Sequence, residues 1–266
     1  MAVDGASPQI IERTDEQWKS FVRFYFRPRT PTQFHNEGIR PQNQPGPLKA
    51  HCPMPVFLLF DANDLLTREE TQFSRGSLAA DSDVGSTAEF FASIPFEKVY
   101  HDLWLPEEEK RTTVFHRQAE VIIPKEVDLS ALKWIVCRSP AEHETLRWSV
   151  SERCWNTWSQ RTTFGSRGNL FFRRCTFVDS ADIEQNRILL RFNESSSCPG
   201  PFAARLTVVN PAANVTYVWQ SLEFYAKDSI AVRIPQIVGP IPFEVSFWMD
   251  EYLAYRGKYS PLESVW

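Results

Sequence analysis

The chain has 266 residues, of which 42% are hydrophobic and 23% are charged, and its formal net charge is −4. This composition excludes a disordered chain and is typical of one large or two ordinary globular domains. The negative balance gives no global attraction to nucleic acid, so any such binding has to be local.

The sequence contains no membrane-spanning or metal-binding pattern. No apolar run approaches the roughly 20 residues that a spanning helix needs, so no membrane partner is expected. Pairs such as His51-Cys52 lack further ligands at useful spacing, so no metal site is predicted. The five cysteines are odd in number, lack CxxC spacing and follow no signal-peptide pattern, which predicts a reduced, cytoplasmic protein.

The first half of the chain predicts alternating short strands and helices. FVRFYF (21–26) reads as an aromatic strand, and PVFLLF (55–60) is the continuous apolar run of a central strand. Residues 61–70 are predicted to begin a helix or a turn, with Asp61 as its cap. Residues 71–87 are predicted to form a loop over a site, and residues 87–94 a helix. Two further strands are predicted at VIIP (121–124) and WIVC (134–137).

Beyond residue 150 the pattern changes to strand-like segments separated by turn residues. The segments span 170–178, 187–193, 204–210, 215–225, 229–235 and 243–255. Their spacing predicts an antiparallel sandwich or barrel. We therefore predict an α+β chain with a mixed-sheet domain at 1–148, a basic and aromatic linker at 149–167, and a β-sandwich-like domain at 168–266.

A carboxylate stands at the head of an apolar strand in RQAEVIIP (117–124). A buried carboxylate costs free energy unless it is paired or exposed in a cleft. Side chains alternate along a strand, so Gln118 and Glu120 are expected on one face. The alternative is an ordinary strand-end glutamate paired with Arg117 or Arg111.

Two blocks of the sequence resemble one family, the DarT-type DNA ADP-ribosyltransferase toxins. FVRFYFRPRTPTQF (21–34) is similar to the family's FYF-x-PR-[ST]-P-M block, with Thr32 in place of Met, and RQAEVIIP is similar to the block that carries its catalytic glutamate. The resemblance covers roughly residues 3–140 and implies an ADP-ribosyltransferase-like mixed-sheet domain. Family members usually begin with a strand and helix carrying a His-containing NAD motif, and this sequence starts after it. That half-site is therefore expected from a partner chain, from sequence outside the chain, or to be lost.

The resemblance implies NAD-dependent transfer of ADP-ribose to nucleic acid, most directly to bases of single-stranded DNA, in a toxin or phage-defence role. NAD is then the donor, no metal is needed, and an antitoxin is a further expected partner. The implied catalytic residues are Glu120, Arg29 and Gln118. The implied NAD contacts are Arg29, Phe24, Tyr25 and Phe26. The open alternatives are a loop arginine, a surface amide and an aromatic strand that belongs to the core.

A basic, tryptophan-containing segment follows the transferase-like half. Residues 147–174 hold six arginines and one glutamate, with three tryptophans interleaved. Cations beside stacking rings suit single-stranded nucleic acid, although tryptophans that fill a domain interface would give the same pattern. The nucleic-acid-binding candidates are Arg117, His116, Arg161, Arg167 and Trp158.

Two other functions stay open from the sequence. One is a non-catalytic or half-site module that keeps the transferase-like scaffold and binds a partner protein or nucleic acid through its β domain. The other is a transferase that modifies protein or RNA instead of DNA.

Overall fold

Helices and short sheets alternate up to residue 164, and antiparallel strands form most of the remainder. A computed structural model describes residues 12, 16–44, 46, 52–80, 82–235 and 241–261. Its helices are α1 (Glu16–Lys19), α2 (Pro31–Asn36), α3 (Ala62–Leu66), α4 (Ala88–Ala92), α5 (Phe96–Val99), α6 (Glu107–His116), α7 (Pro140–Ser149) and α8 (Glu152–Trp158). Its strands are β1 (Phe21–Tyr25), β2 (Val56–Phe60), β3 (Gln72–Ser74), β4 (Val84–Gly85), β5 (Glu120–Pro124), β6 (Leu132–Cys137), β7 (Thr162–Phe164), β8 (Val178–Glu184), β9 (Arg187–Phe192), β10 (Phe202–Asn210), β11 (Val215–Phe224), β12 (Ser229–Arg233), β13 (Phe243–Met249) and β14 (Tyr252–Tyr259).

The first sheet has the strand order β1-β5-β3-β4, and its paired strands are antiparallel. β5 lies inside it, with Val121, Ile122 and Ile123 buried. β-Branched residues fit such a pleated, two-sided environment. This strand carries the candidate glutamate at its first position, so the sheet holds the head of β5 in place from both sides.

The second sheet has the order β2-β6-β7. β2 lies at its edge among the described strands, and Leu58 is 49% exposed. The prediction of a central strand at 55–60 was therefore wrong in position, although the strand itself is present. Apolar composition alone does not distinguish a covered strand from an edge strand.

Two helix starts that the sequence predicts are confirmed. The Asp61 side chain accepts from Asn63 N at 2.9 Å at the start of α3. The Thr87 hydroxyl accepts from Phe90 N at 3.1 Å at the start of α4. Each cap satisfies backbone donors that the first helical turn leaves unpaired.

The later strands form two antiparallel sheets, β11-β10-β13-β14 and β12-β9-β8. Their buried side chains belong to one hydrophobic cluster, to which β9 contributes Leu190 and β10 contributes Leu206. The cluster also includes Ile39 and Ala141 from the earlier part of the chain, and α7 packs against β14 and β8. The core of the later strands is therefore completed by residues that precede them.

Three segment predictions need correction. Residues 170–177 form no strand; Arg173 has a φ of 57° and a side-chain carboxylate binds the local backbone. The segment 243–255 contains two strands, β13 and the start of β14, because Asp250 and Glu251 both take positive φ values and form the turn between them. The predicted loop at 71–87 includes β3 and β4, which extend the first sheet.

None of the described helices is long and apolar enough to cross a membrane.

Candidate active site

Glu120 is the first residue of β5 and is 1% exposed. Its backbone N–H donates to the Ser74 hydroxyl on β3 at 3.0 Å, and Tyr25 on β1 is its opposite residue across the strand pair. Arg23 binds the carboxylate through two hydrogen bonds: Nη2 donates to Oε1 at 2.6 Å, and Nε donates to Oε2. A planar guanidinium thus compensates the buried charge in a fixed orientation.

The partner of Glu120 is Arg23, not Arg117 or Arg111. Arg23 lies 97 residues away in the chain but on the neighbouring strand β1, where alternation puts Arg23 and Tyr25 on one face. Sequence reasoning missed this residue. The available signal was a lone charge inside the aromatic strand FVRFYF, two positions before the tyrosine.

The protonation of this site is set mainly by burial. Burial raises the pKa of Glu120, while the hydrogen bond and charge of Arg23 oppose the rise. An ionised carboxylate offers roughly four acceptor positions. Since Arg23 uses two of them, Glu120 retains acceptors for a hydroxyl group or a proton.

Gln118 lies in the turn between α6 and β5. The strand begins only at Glu120, so the prediction that Gln118 and Glu120 alternate along one strand was wrong. The Gln118 side-chain oxygen accepts from the Thr32 hydroxyl at 3.2 Å, and its nitrogen donates to Val114 O at 3.4 Å. Gln118 is therefore connected through Thr32 to the helix α2.

His116 and Arg117 lie at the end of the helix α6. His116 is the last residue of α6, and Arg117 is its C-cap. The His116 Nδ1–H donates to Arg75 O at 2.6 Å, since a carbonyl oxygen can only accept. The helix end thus fixes the direction in which both side chains leave the turn.

A cavity of about 710 Å³ lies beside this helix end. Its lining residues are Ser77, Ala80, Arg111, Thr112, Val114, Phe115, His116 and Gln118. Its size is in the range of roughly 300 to 1,000 Å³ that small-molecule sites occupy. A second cavity of about 560 Å³ is lined by ten residues that lie between Arg173 and Ser229 in the sequence. None of them belongs to the segments that carry Glu120 and Gln118. We base the candidate site on the first cavity because it contains Gln118.

Arg29 sits in a strained backbone conformation, with a φ of 58°. Such a left-handed φ is uncommon for a residue with a side chain and persists only where the surroundings hold it. Its N–H donates to the Gln33 side-chain oxygen at 2.8 Å. Its guanidinium lies over the Phe172 ring, 4.9 Å from the centroid. The loop arginine is therefore held in one direction at both its backbone and its side chain.

Three arginines surround one carboxylate near this loop. The hydrogen bond from Arg27 lowers the pKa of Asp102, and the charges of Arg29 and Arg117 lower it further. Arg117 Nη2 lies 3.4 Å from His101 Nδ1. The Nε atoms of Arg29 and Arg117 are buried without a hydrogen-bond partner in the described part of the chain. This excess of guanidinium donors is suited to an anion such as a phosphate.

The three aromatic NAD-contact candidates lie in different environments. Phe24 packs against two hydrophobic clusters and Phe26 against one of them. Tyr25 is 43% exposed. Strand alternation separates the faces, so the core occupies Phe24, and Tyr25 alone of the three has a ring that is both exposed and next to Glu120.

The basic segment carries its exposed groups apart from these loops. Arg161 and Arg167 are exposed. Arg161 donates to Leu132 O at 2.8 Å, and its guanidinium lies 5.8 Å from the Trp158 ring. The structure gives these candidates local contacts, and it brings neither arginine into contact with Glu120 or Arg29 among the interactions described.

No group of three or more His, Cys, Asp or Glu residues that could hold a metal ion is found among the described residues.

Comparison with known proteins gives one family and three similar structures. A model of the family described as "ssDNA thymidine ADP-ribosyltransferase, DarT" matches residues 3–161, more than half of the chain. The chain is similar to Thermus sp. 2.9 DarT in complex with ADP-ribosylated ssDNA, with 16% identity and a TM-score of 0.49, over 64% of this chain and 81% of that chain. The same protein in complex with NAD+ matches with 15% identity and a TM-score of 0.44, and in complex with carba-NAD+ with 16% identity and a TM-score of 0.42. Each of these two covers 58% of this chain and 74% of that chain. No curated protein matches.

Proposed function

The chain belongs to the DarT family of ssDNA thymidine ADP-ribosyltransferases, and on this premise we propose that it transfers ADP-ribose from NAD to thymidine in single-stranded DNA. The resemblance in the two sequence blocks is confirmed by the family match, which spans both of them. Glu120, Arg29 and Gln118 all lie within the matched residues. The observation that carries the proposal is a buried carboxylate at the head of β5, held in a fixed orientation next to the turn that carries Gln118.

The reaction breaks the bond between nicotinamide and ribose, and nicotinamide leaves with the bonding electrons. An atom of the base forms the new bond to the ribose carbon and loses a proton. We assign Glu120 to stabilise the positive charge that develops on the ribose and to accept a hydroxyl hydrogen bond or the released proton. Arg23 orients this carboxylate through its two hydrogen bonds.

Arg29 and Tyr25 are assigned to the donor. The Arg29 guanidinium has an unpaired buried Nε and can bind the pyrophosphate in the forked geometry that arginine favours. Tyr25 offers an exposed ring beside Glu120 for the nicotinamide. Phe24 and Phe26 are left out of the donor site because their rings pack in the core.

The acceptor strand is assigned to the cavity beside α6. The Gln118 amide positions the base, and His116 and Arg117 contact phosphates. Arg161, Arg167 and Trp158 guide the strand further away, by charge and stacking.

The remaining assignments extend beyond the catalytic half. We propose that residues 168–266 supply the strands of a β-sandwich that depends on packing against α7, supported by the cluster that both later sheets share, with 1–148 as the transferase domain and 149–167 as the junction. We also propose a toxin or phage-defence role in the cytoplasm, with an antitoxin or partner chain that blocks or completes the NAD site.

The test is transfer of label from labelled NAD to single-stranded DNA, RNA and protein, each with the purified chain. Thymidine-containing single-stranded DNA is expected to take the label. Glu120→Gln should reduce transfer at least 100-fold, as loss of one charge-stabilising group does elsewhere. Glu126→Gln is the matched control, because Glu126 is exposed just after the same strand.

Label on RNA or protein in place of DNA would reassign the acceptor. A folded Glu120→Gln protein with wild-type transfer would remove Glu120 from catalysis. If the wild-type chain transfers label to no acceptor while NAD stays intact, the non-catalytic module is favoured. The observation that supports that module is the ion pair with Arg23, which already occupies part of the Glu120 carboxylate.

A further inference from the structure

The backbone conformation of Arg29 depends on the side chain of Gln33, which follows it in the chain. Arg29 N–H donates to the Gln33 side-chain oxygen at 2.8 Å, and this bond holds a backbone whose φ is 58°. Thr30, between them, caps α2 by accepting from Gln33 N at 3.2 Å. Gln33 is thus itself fixed at the start of the helix.

The side-chain amide nitrogen of Gln33 connects the Arg29 loop to residues beyond the transferase half. It donates to Glu37 Oε2 at 2.8 Å and to Leu170 O at 2.8 Å. The Glu37 carboxylate in turn accepts from Phe172 N at 2.8 Å and from Arg173 N at 2.7 Å. The segment Leu170–Arg173 is therefore bound to the base of the Arg29 loop through one glutamine and one glutamate.

The same segment also supports the Arg29 side chain. The Phe172 ring lies under the guanidinium at 4.9 Å and meets the Phe34 ring edge-on at 5.2 Å. Arg174 covers the Phe34 ring at 3.9 Å. A guanidinium on an aromatic face gains both cation–π attraction and a defined plane.

A buried ion pair anchors this arrangement. Glu37 is 2% exposed, and Arg138, at 0% exposed, lies 3.4 Å from it. Arg138 also binds the buried Glu142 carboxylate through a second, closer pair. Charges that are buried and mutually paired leave little freedom for Glu37 to move. The contact between Glu37 and the backbone of Phe172 is thus held from both sides.

We propose that Gln33, Glu37 and Phe172 are positioning residues that hold Arg29 in its donor-binding orientation. The segment Leu170–Arg173 then belongs to the NAD site, although it lies beyond residue 161, where the family match ends. This inference rests on the proposed function, in which Arg29 contacts NAD. It makes the first residues of the predicted β domain at 168–266 a part of the enzyme's donor site.

The test compares NAD affinity by calorimetry, and KM and kcat for transfer, in single and double variants of the full chain. Phe172→Leu removes the aromatic face, and Gln33→Met removes all three hydrogen bonds of the Gln33 side chain at similar side-chain length. Each should weaken NAD binding on the order of tenfold and raise KM, with kcat changed less than threefold. Phe172→Tyr keeps the ring and should bind NAD as the wild type does. Phe164→Leu is the matched control, since Phe164 is 47% exposed in the same region and contacts His143 instead.

The double variants separate positioning from general stability. If Phe172 acts through Arg29, Arg29→Ala combined with Phe172→Leu should bind NAD no more weakly than Arg29→Ala alone. Losses that add in the double variant would overturn the inference, as would wild-type affinity in both Phe172→Leu and Gln33→Met while Arg29→Ala is impaired. Unchanged NAD affinity in Arg29→Ala would instead overturn the donor role of Arg29, on which the inference rests.

Discussion

At the residue scale, the central feature is a buried carboxylate that has one charged partner among the residues that the structure describes. Without Arg23, Glu120 would be an unpaired acid at 1% exposure, and such groups neutralise by taking up a proton. With Arg23, the carboxylate is ionised more easily and points in a fixed direction. The same guanidinium that keeps Glu120 charged also occupies half of its acceptor positions.

This pair predicts the acid limb of the pH–rate profile. Transfer requires ionised Glu120, whose pKa burial raises above the ordinary 4.5, so activity should rise with pH through a midpoint above 4.5. Arg23 lowers this pKa, so Arg23→Ala should move the midpoint to higher pH. The measurement is kcat/KM for transfer between about pH 4 and 9.

The control is Arg233→Ala, an exposed arginine on β12, which should leave the midpoint in place. Thermal unfolding of each variant at every pH establishes that the folded protein is being assayed. A midpoint that stays fixed or falls in folded Arg23→Ala would mean that Glu120 does not control the acid limb.

At the element scale, the basic segment is less open to ligands than its composition suggests. Arg147 lies over the rings of both Trp148 and Trp155, at 4.7 and 5.3 Å. An arginine of the basic segment therefore already occupies one face of each of these two tryptophan rings. The described 3₁₀ turn Ser159–Arg161 and the loop after β7 present Arg161 and Arg167 to solvent.

If these two arginines contact DNA phosphates, Arg161→Glu combined with Arg167→Glu should flatten the salt dependence of single-strand binding. The slope of log K against log salt changes by roughly 0.7 for each phosphate contact on a single strand, so it should fall by about one to two units. Fluorescence anisotropy with a labelled oligonucleotide between 50 and 300 mM salt measures this slope.

Arg187→Glu combined with Arg233→Glu makes the same charge change on the paired strands β9 and β12. This control should lower the affinity slightly and leave the slope nearly unchanged. Equal slopes for the wild type and the Arg161/Arg167 variant would show that those arginines serve the protein's own structure.

At the scale of the whole molecule, the later sheets depend on a helix that precedes them. α7 packs on β14 and β8; Tyr255 donates its hydroxyl to Glu144 Oε2 at 2.6 Å, and Arg256 N–H donates to the Thr145 hydroxyl at 3.0 Å. The Ser139 hydroxyl, which caps α7, also donates to Val178 O at 2.8 Å. A folding unit that begins at residue 168 would lack all of these contacts.

We therefore expect a fragment of residues 139–261 to fold cooperatively and a fragment of residues 168–261 to be much less stable. Removing α7 exposes apolar residues of the shared cluster and leaves β14 uncovered. Thermal and urea unfolding followed by circular dichroism compare the two fragments with the full chain. Equal melting temperatures for the two fragments would contradict this and support a domain that begins at 168.

Much of the architecture could be predicted from local sequence. β1, β9 and β10 lie within two residues of their predicted spans, because alternating or β-branched residues bounded by turn residues define a strand locally. The cap at Asp61 was predictable for the same reason, since a cap depends on residues two or three positions away. The two sequence blocks alone indicated the family.

Long-range contacts decided the rest. The segment 170–177 has strand-like composition, yet its backbone donors at Phe172 and Arg173 are taken by Glu37, more than 130 residues earlier. Likewise, the sequence indicated Glu120 and Arg29 as candidates. It could not show that Arg23 pairs with Glu120, or that Phe172 and Gln33 contact Arg29. Periodicity reports which face of an element is apolar; which side chains meet across elements depends on how the sheets and loops pack, and only the tertiary structure determines that.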